Sequence, residues 1–312
     1  DQSLMERQFH EAMKEKGVLG GRTLEVEADY RRDFIKVETA AGEKLDDLIE
    51  KWRDHSVDGE AEGETSERPY SELADILNKT FDYTQKIKLT EAIKAEEAVN
   101  RVKEHVKKGR KVVLFHSYNV GGSFDPIEKV RQLKPELMAQ FESEFPGMTN
   151  IDFGVLARPL DLFADEFGNS VRFYNGNVPD KARKEAKDLF NKDNSGVDII
   201  VVQQEAGEAG ISLHDITGGK QRVLINIGMP VKPTQFIQIE GRIYRVGVKT
   251  DAQFENLTTG TAFERNIFAS KIAGRASTAE NLAMGEFARS LKESISEGYL
   301  DAAYLPVKED IG

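Results

Sequence analysis

Short apolar runs that alternate with helical segments constrain the fold of this chain more than any other feature. The runs lie at residues 112–115, 171–174, 197–202 and 223–227. Strands that are buried on both faces of a parallel sheet have this character, because neither face meets water. Helical segments between them, such as 179–191, make repeated βα units. The pattern predicts an α/β domain with a parallel sheet flanked by helices.

The two ends of the chain differ in rhythm from this central part. Residues 1–88 predict a smaller α+β lead-in segment, with an alternating β-like run between 24 and 37 and an acidic linker near 57–68. Residues 89–260 hold the α/β domain, which opens with a helix at 90–108 and carries an inserted helix around 126–145. Residues 261–312 predict a C-terminal helical extension, with helices over 261–295.

Composition limits the possible environments and partners. The chain has no cysteine and no apolar run long enough to cross a bilayer, so we expect a cytoplasmic protein, nucleoid-associated or nuclear according to its source, with no membrane partner. The net charge of −11 argues against a surface that grips nucleic acid over its whole area, but a local basic groove needs only a few Lys and Arg. The five histidines lack metal-ligand spacing, so no metal site is predicted within this chain.

The pattern Q-x-x-G-R-x-x-R-x-G at residues 238–247 is the strongest chemical signal. Its two arginines, Arg242 and Arg245, are three residues apart and are expected on one side of a helix. A guanidinium is planar and permanently charged, so it can hold a transferring phosphoryl group through two parallel hydrogen bonds. The alternative interpretation is a surface helix with two solvated arginines.

Three further segments precede this pattern in the sequence. A glycine-rich turn at 205–215 directly follows the apolar run 197–202, and glycines there would let backbone amides approach a phosphate or a partner domain. The segment 111–117 is a strand that ends in His116 and Ser117. The segment 173–183 combines a strand, a glycine turn and an arginine-bearing helix.

In this order the four segments resemble motif IV to motif VI of superfamily 2 helicases, which belong to the second RecA-like domain of those motors. The resemblance implies ATP-driven movement on nucleic acid, with DNA as the expected partner, and gives Arg242 and Arg245 the catalytic role of arginine fingers. It places Gln238, Gly241, Gly207, Glu208 and Gly210 at the ATP site. It places His116, Ser117, Gly176, Arg183, Gln204 and Ser212 along the nucleic-acid track.

Within that superfamily the chain resembles the C-terminal helicase domain of the Strawberry-notch type, with bacterial and phage relatives. The similarity rests on the Lys-Gly helix end at 14–17, the turn at 205–213 and the run 263–275 that leads into 279–285. Two features depart from the family pattern. Gln203 and Gln204 stand where many relatives carry Ser or Thr, and Glu208 places a negative charge inside the glycine-rich turn.

The sequence contains no phosphate loop of the form G-x-x-x-x-G-K-[ST]. The resemblance implies that ATP and Mg²⁺ are bound mainly by a first RecA-like domain, which we expect in the same parent protein. The chain begins at Asp1 rather than at methionine, as expected for part of something longer. On this basis the chain alone is predicted to be inactive as an ATPase.

Two other functions remain open at this point. The chain can be a nucleic-acid or protein interaction module that keeps the motor fold without turnover. The segment 121–127, Gly-Gly-Ser-Phe-Asp-Pro-Ile, also resembles the start of a nucleotidyltransferase signature. The two histidines that complete that signature are missing, so a glycine turn followed by a helix starting at Asp125-Pro126 is the favoured interpretation.

Overall fold

A six-stranded parallel sheet forms the centre of the molecule. The computed structural model of the protein describes residues 26, 28–56, 68–207, 210–228 and 233–272. The strands are β1 (Tyr30–Lys36), β2 (Lys111–His116), β3 (Gly122–Ser123), β4 (Val155–Leu156), β5 (Val171–Tyr174), β6 (Ile199–Gln203), β7 (Arg222–Asn226) and β8 (Ala252–Thr258). The main sheet has the order β1-β8-β7-β2-β6-β5 with all neighbours parallel, while β3 and β4 form a separate antiparallel pair. The expected RecA-like α/β fold is confirmed.

Helices cover both faces of the main sheet. They are α1 (Ala40–Arg53), α2 (Ser71–Thr80), α3 (Tyr83–Lys107), α4 (Pro126–Leu133), α5 (Pro135–Glu144), α6 (Pro159–Phe167), α7 (Asp180–Asn191), α8 (Gln204–Gly207), α9 (Pro233–Glu240) and α10 (Ala262–Ile267), followed by a π-helical turn at Phe268–Ile272. Alternate residues of β2 point to opposite faces. Val112 and Leu114 therefore pack in the core that includes α3, whereas Val113 and Phe115 pack in the core that includes α7 and α9. Because every residue of β2 and β7 is buried, the apolar runs of the sequence are explained.

A third hydrophobic core lies beside the sheet. It joins α1 and α2 to the inserted helices α4 and α5. Its aromatic residues include Trp52, Tyr70 and Phe141. The rings of Trp52 and Phe141 are 4.8 Å apart, and those of Tyr70 and Phe141 are 5.0 Å apart. This core anchors the insertion between β2 and β5 to the helices of the lead-in segment.

The inserted helix expected over 126–145 is wrong in one respect, because the structure divides it into α4 and α5. The break is at Lys134, whose φ of −136° and ψ of 66° are not helical. Pro135 follows directly, and a proline ring disfavours the helical conformation of the residue before it. The start of α4 agrees with the sequence, since the Asp125 carboxylate accepts a hydrogen bond of 3.1 Å from the Glu128 amide.

Strand β1 is an integral part of the main sheet, although the sequence places it in a separate lead-in segment. It pairs with β8 over its full length, from Tyr30 opposite Ala252 to Lys36 opposite Thr258. The division at residue 88 also falls within α3. The boundaries at 88 and 260 otherwise stay a prediction.

Helix α10 connects the C-terminal extension to α3 through a buried ion pair. The Lys94 ammonium is 2.9 Å from Glu264, and neither side chain is exposed by more than 1%. Thr261 caps the helix by accepting a hydrogen bond from the Glu264 amide. The predicted helices beyond residue 272 and most of the acidic linker, 57–67, lie outside the described residues.

Candidate functional site

The carboxyl ends of the central strands bring several of the predicted site residues together. His116 ends β2 and is in register with Gln203 at the end of β6, while Phe115 is in register with Asn226 at the end of β7. Parallel strands end at one edge of a sheet, and in open α/β sheets ligands bind outside this edge. The predicted residues His116, Ser117 and Gln204 therefore share one edge.

His116 is more deeply buried than a direct nucleic-acid contact requires. Only 2% of it is exposed, and its Nδ1 lies 2.7 Å from the Tyr118 carbonyl oxygen. Burial lowers the pKa of the imidazole, although the hydrogen bond to Tyr118 opposes this effect. The ring is therefore neutral at pH 7 and presents a dipole rather than a charge to this edge.

Gly228 marks a close approach between the segments after β7, β2 and β6. A Cβ atom at this position would lie 2.6 Å from Ser117 Oγ and 2.9 Å from Gln204 Nε2, which is too close for a real side chain. Both of these buried polar atoms, together with His116 Nε2, have no hydrogen-bond partner within the described residues. Buried polar atoms normally find partners, so the hydrogen bonding of this cluster is incomplete among the described residues.

Glu91 of α3 belongs to this edge, and sequence reasoning missed it. Its carboxylate accepts hydrogen bonds of 2.7 Å from the Ser117 amide and 2.9 Å from the Tyr118 amide. Burial raises the pKa of Glu91 to about 8, against the opposing effects of these amides and of Lys94. The only available sequence signal is a carboxylate on the buried side of a long helix, which does not indicate its partner.

Gly176 lies in the turn after β5, the outer strand of the sheet, and Arg183 lies on α7, the helix that follows. Gly176 is exposed and a Cβ atom there would meet nothing within 4 Å. Arg183 forms an ion pair with Asp180, and its guanidinium is 5.8 Å from the ring centre of Tyr174. These contacts place Arg183 one strand away from Gln204 and two strands from His116 in the sheet order.

The glycine-rich turn reaches from β6 to the arginine-bearing segment. Gly207 ends the single-turn helix α8, Glu208 lies outside the described residues, and Gly210 adopts a φ of +87° that favours glycine. A Cβ atom at Gly210 would lie 3.8 Å from a terminal nitrogen of Arg242. The Leu213 amide also donates a hydrogen bond of 2.8 Å to the Arg242 carbonyl oxygen. The glycine-rich turn at 205–215 and the segment 238–247 are therefore in direct contact.

The expectation that both arginines share one helix face is wrong, because α9 ends at Glu240. The Gly241 amide bonds to the fourth residue back, Ile237, but the amides of Arg242 and Ile243 bond to the third residue back. The Tyr244 amide bonds again to the fourth residue back, Glu240, so the regular helical pattern is interrupted after Gly241. Residues 241–247 form a turn, which we call the arginine turn, and Gly247 at its end has a φ of +93°. Gln238 remains on α9 with an exposed side chain, one residue before the buried Ile239.

Arg242 and Arg245 have different surroundings on the arginine turn. Arg242 is only 8% exposed, contrary to the expectation of two accessible side chains. Arg245 is exposed, and its guanidinium donates a hydrogen bond of 2.5 Å to Ser212 Oγ. Burial lowers the pKa of the neighbouring His214, and the charges of Arg245 and Arg222 lower it further. Ser212, assigned from the sequence to the nucleic-acid track, thus contacts the arginine turn.

This arrangement agrees with the comparison with protein families. Residues 148–247 match the family model "Helicase conserved C-terminal domain". This part of the chain is therefore similar to the C-terminal domain of helicases. The match ends at Gly247, the last residue of the arginine turn, and it includes the strands β5, β6 and β7. The comparison with curated proteins finds no match.

Several solved structures are similar to this chain. The C-terminal part of the Fun30 ATPase domain is 14% identical over 78% of this chain and 90% of that chain, with a TM-score of 0.45. The DNA-bound helicase MrfA is 18% identical over 56% of this chain (TM-score 0.34), and Mycobacterium smegmatis helicase Lhr is 14% identical over 62% (TM-score 0.32). The alignments cover 18% of the MrfA chain and 19% of the Lhr chain.

The described part of the chain has neither a candidate membrane-spanning helix nor a candidate metal-binding group. No helix there is both long and apolar enough to cross a membrane. No group of three or more His, Asp or Glu side chains there has the geometry to hold a metal ion.

Proposed function

We propose that the chain is the C-terminal motor half of an ATP-dependent superfamily 2 DNA helicase or translocase. The observation that carries the proposal is the contact between the glycine-rich turn and the arginine turn within a helicase C-terminal domain. Gly210 approaches Arg242, and Ser212 holds Arg245. The two sequence motifs therefore act as one unit at the surface of the domain.

On the ATP side, Arg245 supplies an exposed cationic fork and Arg242 a second, buried one. A guanidinium near the γ-phosphate stabilises negative charge that develops as the phosphoryl group is transferred. Gln238, Gly241, Gly207, Glu208 and Gly210 complete this side of the proposed ATP site. Mg²⁺, when bound, neutralises phosphate charge, and we assign its ligands and the phosphate loop to a first RecA-like domain.

On the nucleic-acid side, the proposed contacts are His116, Ser117, Gly176, Arg183, Gln204 and Ser212. The incomplete polar cluster at Gly228 supports the first part of this assignment, because its hydroxyl and amide can donate to phosphate oxygens. Ser212 is assigned to the nucleic-acid track but also contacts the ATP side, because its hydroxyl accepts the hydrogen bond from Arg245. We propose that nucleic acid bound along the track affects the position of Arg245 through this hydrogen bond.

The narrower assignment to the Strawberry-notch type, with a bacterial or phage origin and a cytoplasmic or nuclear location, is part of this proposal and rests on sequence resemblance alone. The second candidate is an interaction module that keeps the fold without turnover. The burial of Arg242 favours that candidate. A side chain that is only 8% exposed must move before its guanidinium can contact a phosphate, or else it can act only through neighbouring backbone groups. For the nucleotidyltransferase alternative, the cap that Asp125 makes on α4 gives the Asp-Pro pair a structural role.

ATP turnover separates these functions. The parent protein that carries this chain with a first RecA-like domain should hydrolyse ATP, and DNA should accelerate the reaction. The purified chain alone should show no significant turnover, because the lysine of the phosphate loop and the Mg²⁺ ligands supply most of the stabilisation. A rate of about 1 s⁻¹ for the chain alone, within the usual range of phosphoryl-transfer enzymes, would contradict the proposal. Inactivity of the parent protein with and without DNA would favour the interaction module.

A further inference from the structure

A buried ion pair joins the first strand of the sheet to the helix that precedes the arginine turn. Arg32 Nε lies 3.0 Å from both carboxylate oxygens of Glu240, and Arg32 Nη2 lies 2.9 Å from Oε1. The two side chains are 1% and 2% exposed. Glu240 is the last residue of α9, so Gly241 and Arg242 follow it directly.

The energetics of this pair indicate a role in geometry more than in stability. Burial raises the pKa of Glu240, and the charge and hydrogen bonds of Arg32 oppose that rise. Because removing two charges from water is costly, apolar residues of similar volume often stabilise a fold as well as a buried ion pair does. The ion pair contributes a defined geometry, because a guanidinium bound to a carboxylate fixes both the distance and the relative orientation of the two side chains.

Two more contacts connect the same strand region to the arginine turn itself. The Tyr244 hydroxyl donates a hydrogen bond of 2.8 Å to the Ala28 carbonyl oxygen. The rings of Tyr30 and Tyr244 meet edge to face with their centres 4.9 Å apart. Tyr244 lies between Arg242 and Arg245 in the sequence, so these contacts act at the middle of the turn.

We propose that Ala28, Tyr30 and Arg32 form a clamp that positions the arginine turn for ATP turnover, with Arg32 as the principal positioning residue. The inference rests on the proposed function, in which Arg242 and Arg245 act on the phosphate. Strand β1 is suited to this task because it is hydrogen-bonded along its length to β8. It lies outside residues 148–247, the part that matches the helicase family model, and outside the helicase motifs of the sequence.

A clamp of this kind affects the rate more than the binding of ATP. A misplacement of about 1 Å in a catalytic group can cost roughly 100-fold in rate, whereas contacts made equally in the ground state change KM. The side chains of Arg32 and Glu240 are buried, so in this proposal they act through the arginine turn and not on the substrate. Weakening them should therefore lower kcat through the position of Arg242 and Arg245.

The test compares three variants of the parent protein with a matched control. Arg32→Lys keeps the charge and loses the fork, Arg32→Met with Glu240→Leu replaces the pair by apolar side chains, and Tyr244→Phe removes one hydrogen bond. Arg31→Ala is the control, since Arg31 neighbours Arg32 but is 76% exposed and pairs with Asp33. We expect kcat to fall about 10-fold in the first two variants and less in Tyr244→Phe, with KM for ATP within about two-fold of the native value. Arg31→Ala should match the native protein.

Melting temperature and hydrogen exchange complete the test. The apolar double variant should melt at or above the native temperature, yet the amides of 241–248 should exchange faster in it while those of β2 do not change. A stable double variant with native kcat and native exchange would overturn the clamp. A kcat that falls only with the folded fraction would also overturn it. Arg245→Ala in the same assay tests the proposed function, and if that variant keeps full turnover, the exchange of 241–248 still decides whether the clamp exists.

Discussion

Arg242 and Arg245 show how much two residues of one motif can differ. The sequence predicts equal roles for them, but Arg242 is buried near Gly210 and Arg245 is exposed beside Ser212. Substitution therefore tests function cleanly only at Arg245, because replacement of a buried arginine also disturbs packing.

Replacing Arg245 by Ala or Lys in the parent protein should reduce ATP turnover by about 10³-fold, the scale known for arginine fingers. Lysine should fail nearly as badly as alanine, because a point charge cannot form the bidentate fork. The free energy of unfolding should change by less than about 0.5 kcal/mol, as is usual for an exposed side chain. Lys249→Ala, another exposed cation near the arginine turn, serves as the control and should keep native turnover. A stable and fully active Arg245→Lys protein would contradict the finger assignment.

Gly228 and Gly176 provide a matched pair at the same edge of the sheet. Gly228→Ala should cost about 1–3 kcal/mol of unfolding free energy, because the new methyl group would press against Ser117 Oγ and Gln204 Nε2. Gly176→Ala should cost little or stabilise slightly, since the space around it is open and its φ is not in the left-handed region. Urea unfolding of both variants measures the difference. Equal stability of the two would show that the segments around Gly228 are loose.

At the scale of elements, the strands and helices with one clear periodicity are predictable from the sequence. The four apolar runs become β2, β5, β6 and β7, and the helix expected at 179–191 becomes α7. Strand β8 escapes prediction because it carries Gln253, Glu255 and Asn256 in buried or half-buried positions. The buried Glu255 is paired with Arg101 and His105, which are distant in the sequence, and no local pattern reveals such partners.

The candidate site is likewise predictable from the sequence only in part. Sequence reasoning finds the residues of the glycine-rich turn and the arginine turn, because their spacing carries the chemistry. It does not find Glu91, Arg32 or Glu240, which act through contacts between distant elements. It also misplaces the end of α9, since the hydrogen-bond pattern after Glu240 depends on tertiary contacts of the turn.

At the scale of elements, the charge of Glu255 in β8 should make the free energy of unfolding depend on pH. Burial alone would raise the pKa of this carboxyl, but hydrogen bonds and charge from His105 and Arg101 of α3 outweigh burial and lower it to about 2. A pKa lowered in the folded state contributes stability above the ordinary value of 4.5, and this contribution is lost as pH falls from 4.5 towards 2. The unfolding free energy should therefore drop between pH 5 and pH 3 more steeply in the native chain than in Glu255→Gln. Parallel pH profiles of the two proteins would show that the α3–β8 connection does not depend on this charge.

At the scale of the whole molecule, charge governs how the chain meets nucleic acid. The net charge of −11 opposes a polyanion, so binding must depend on a few local groups such as Arg183. We expect the chain alone to bind single-stranded DNA weakly and without sequence preference, and to lose affinity as salt is raised from about 50 to 200 mM, because backbone contacts release counterions. Fluorescence anisotropy with two unrelated oligonucleotides measures both properties. Tight, sequence-selective binding that persists in high salt would contradict this view of the surface.

The pairing of β1 with β8 has a consequence for how the protein is made. Asp29 and Asp251, just before the two strands, are 222 residues apart and joined by a hydrogen bond. At a synthesis rate of about 5–20 residues per second, β1 leaves the ribosome roughly 10–45 s before its partner exists. During that interval the strand must wait as an unpaired edge, a state that invites wrong association. Strand β8 is the last strand of the main sheet to be synthesised, and it fixes the position of β1, the first. The arginine turn therefore acquires its clamp only after β8 has left the ribosome.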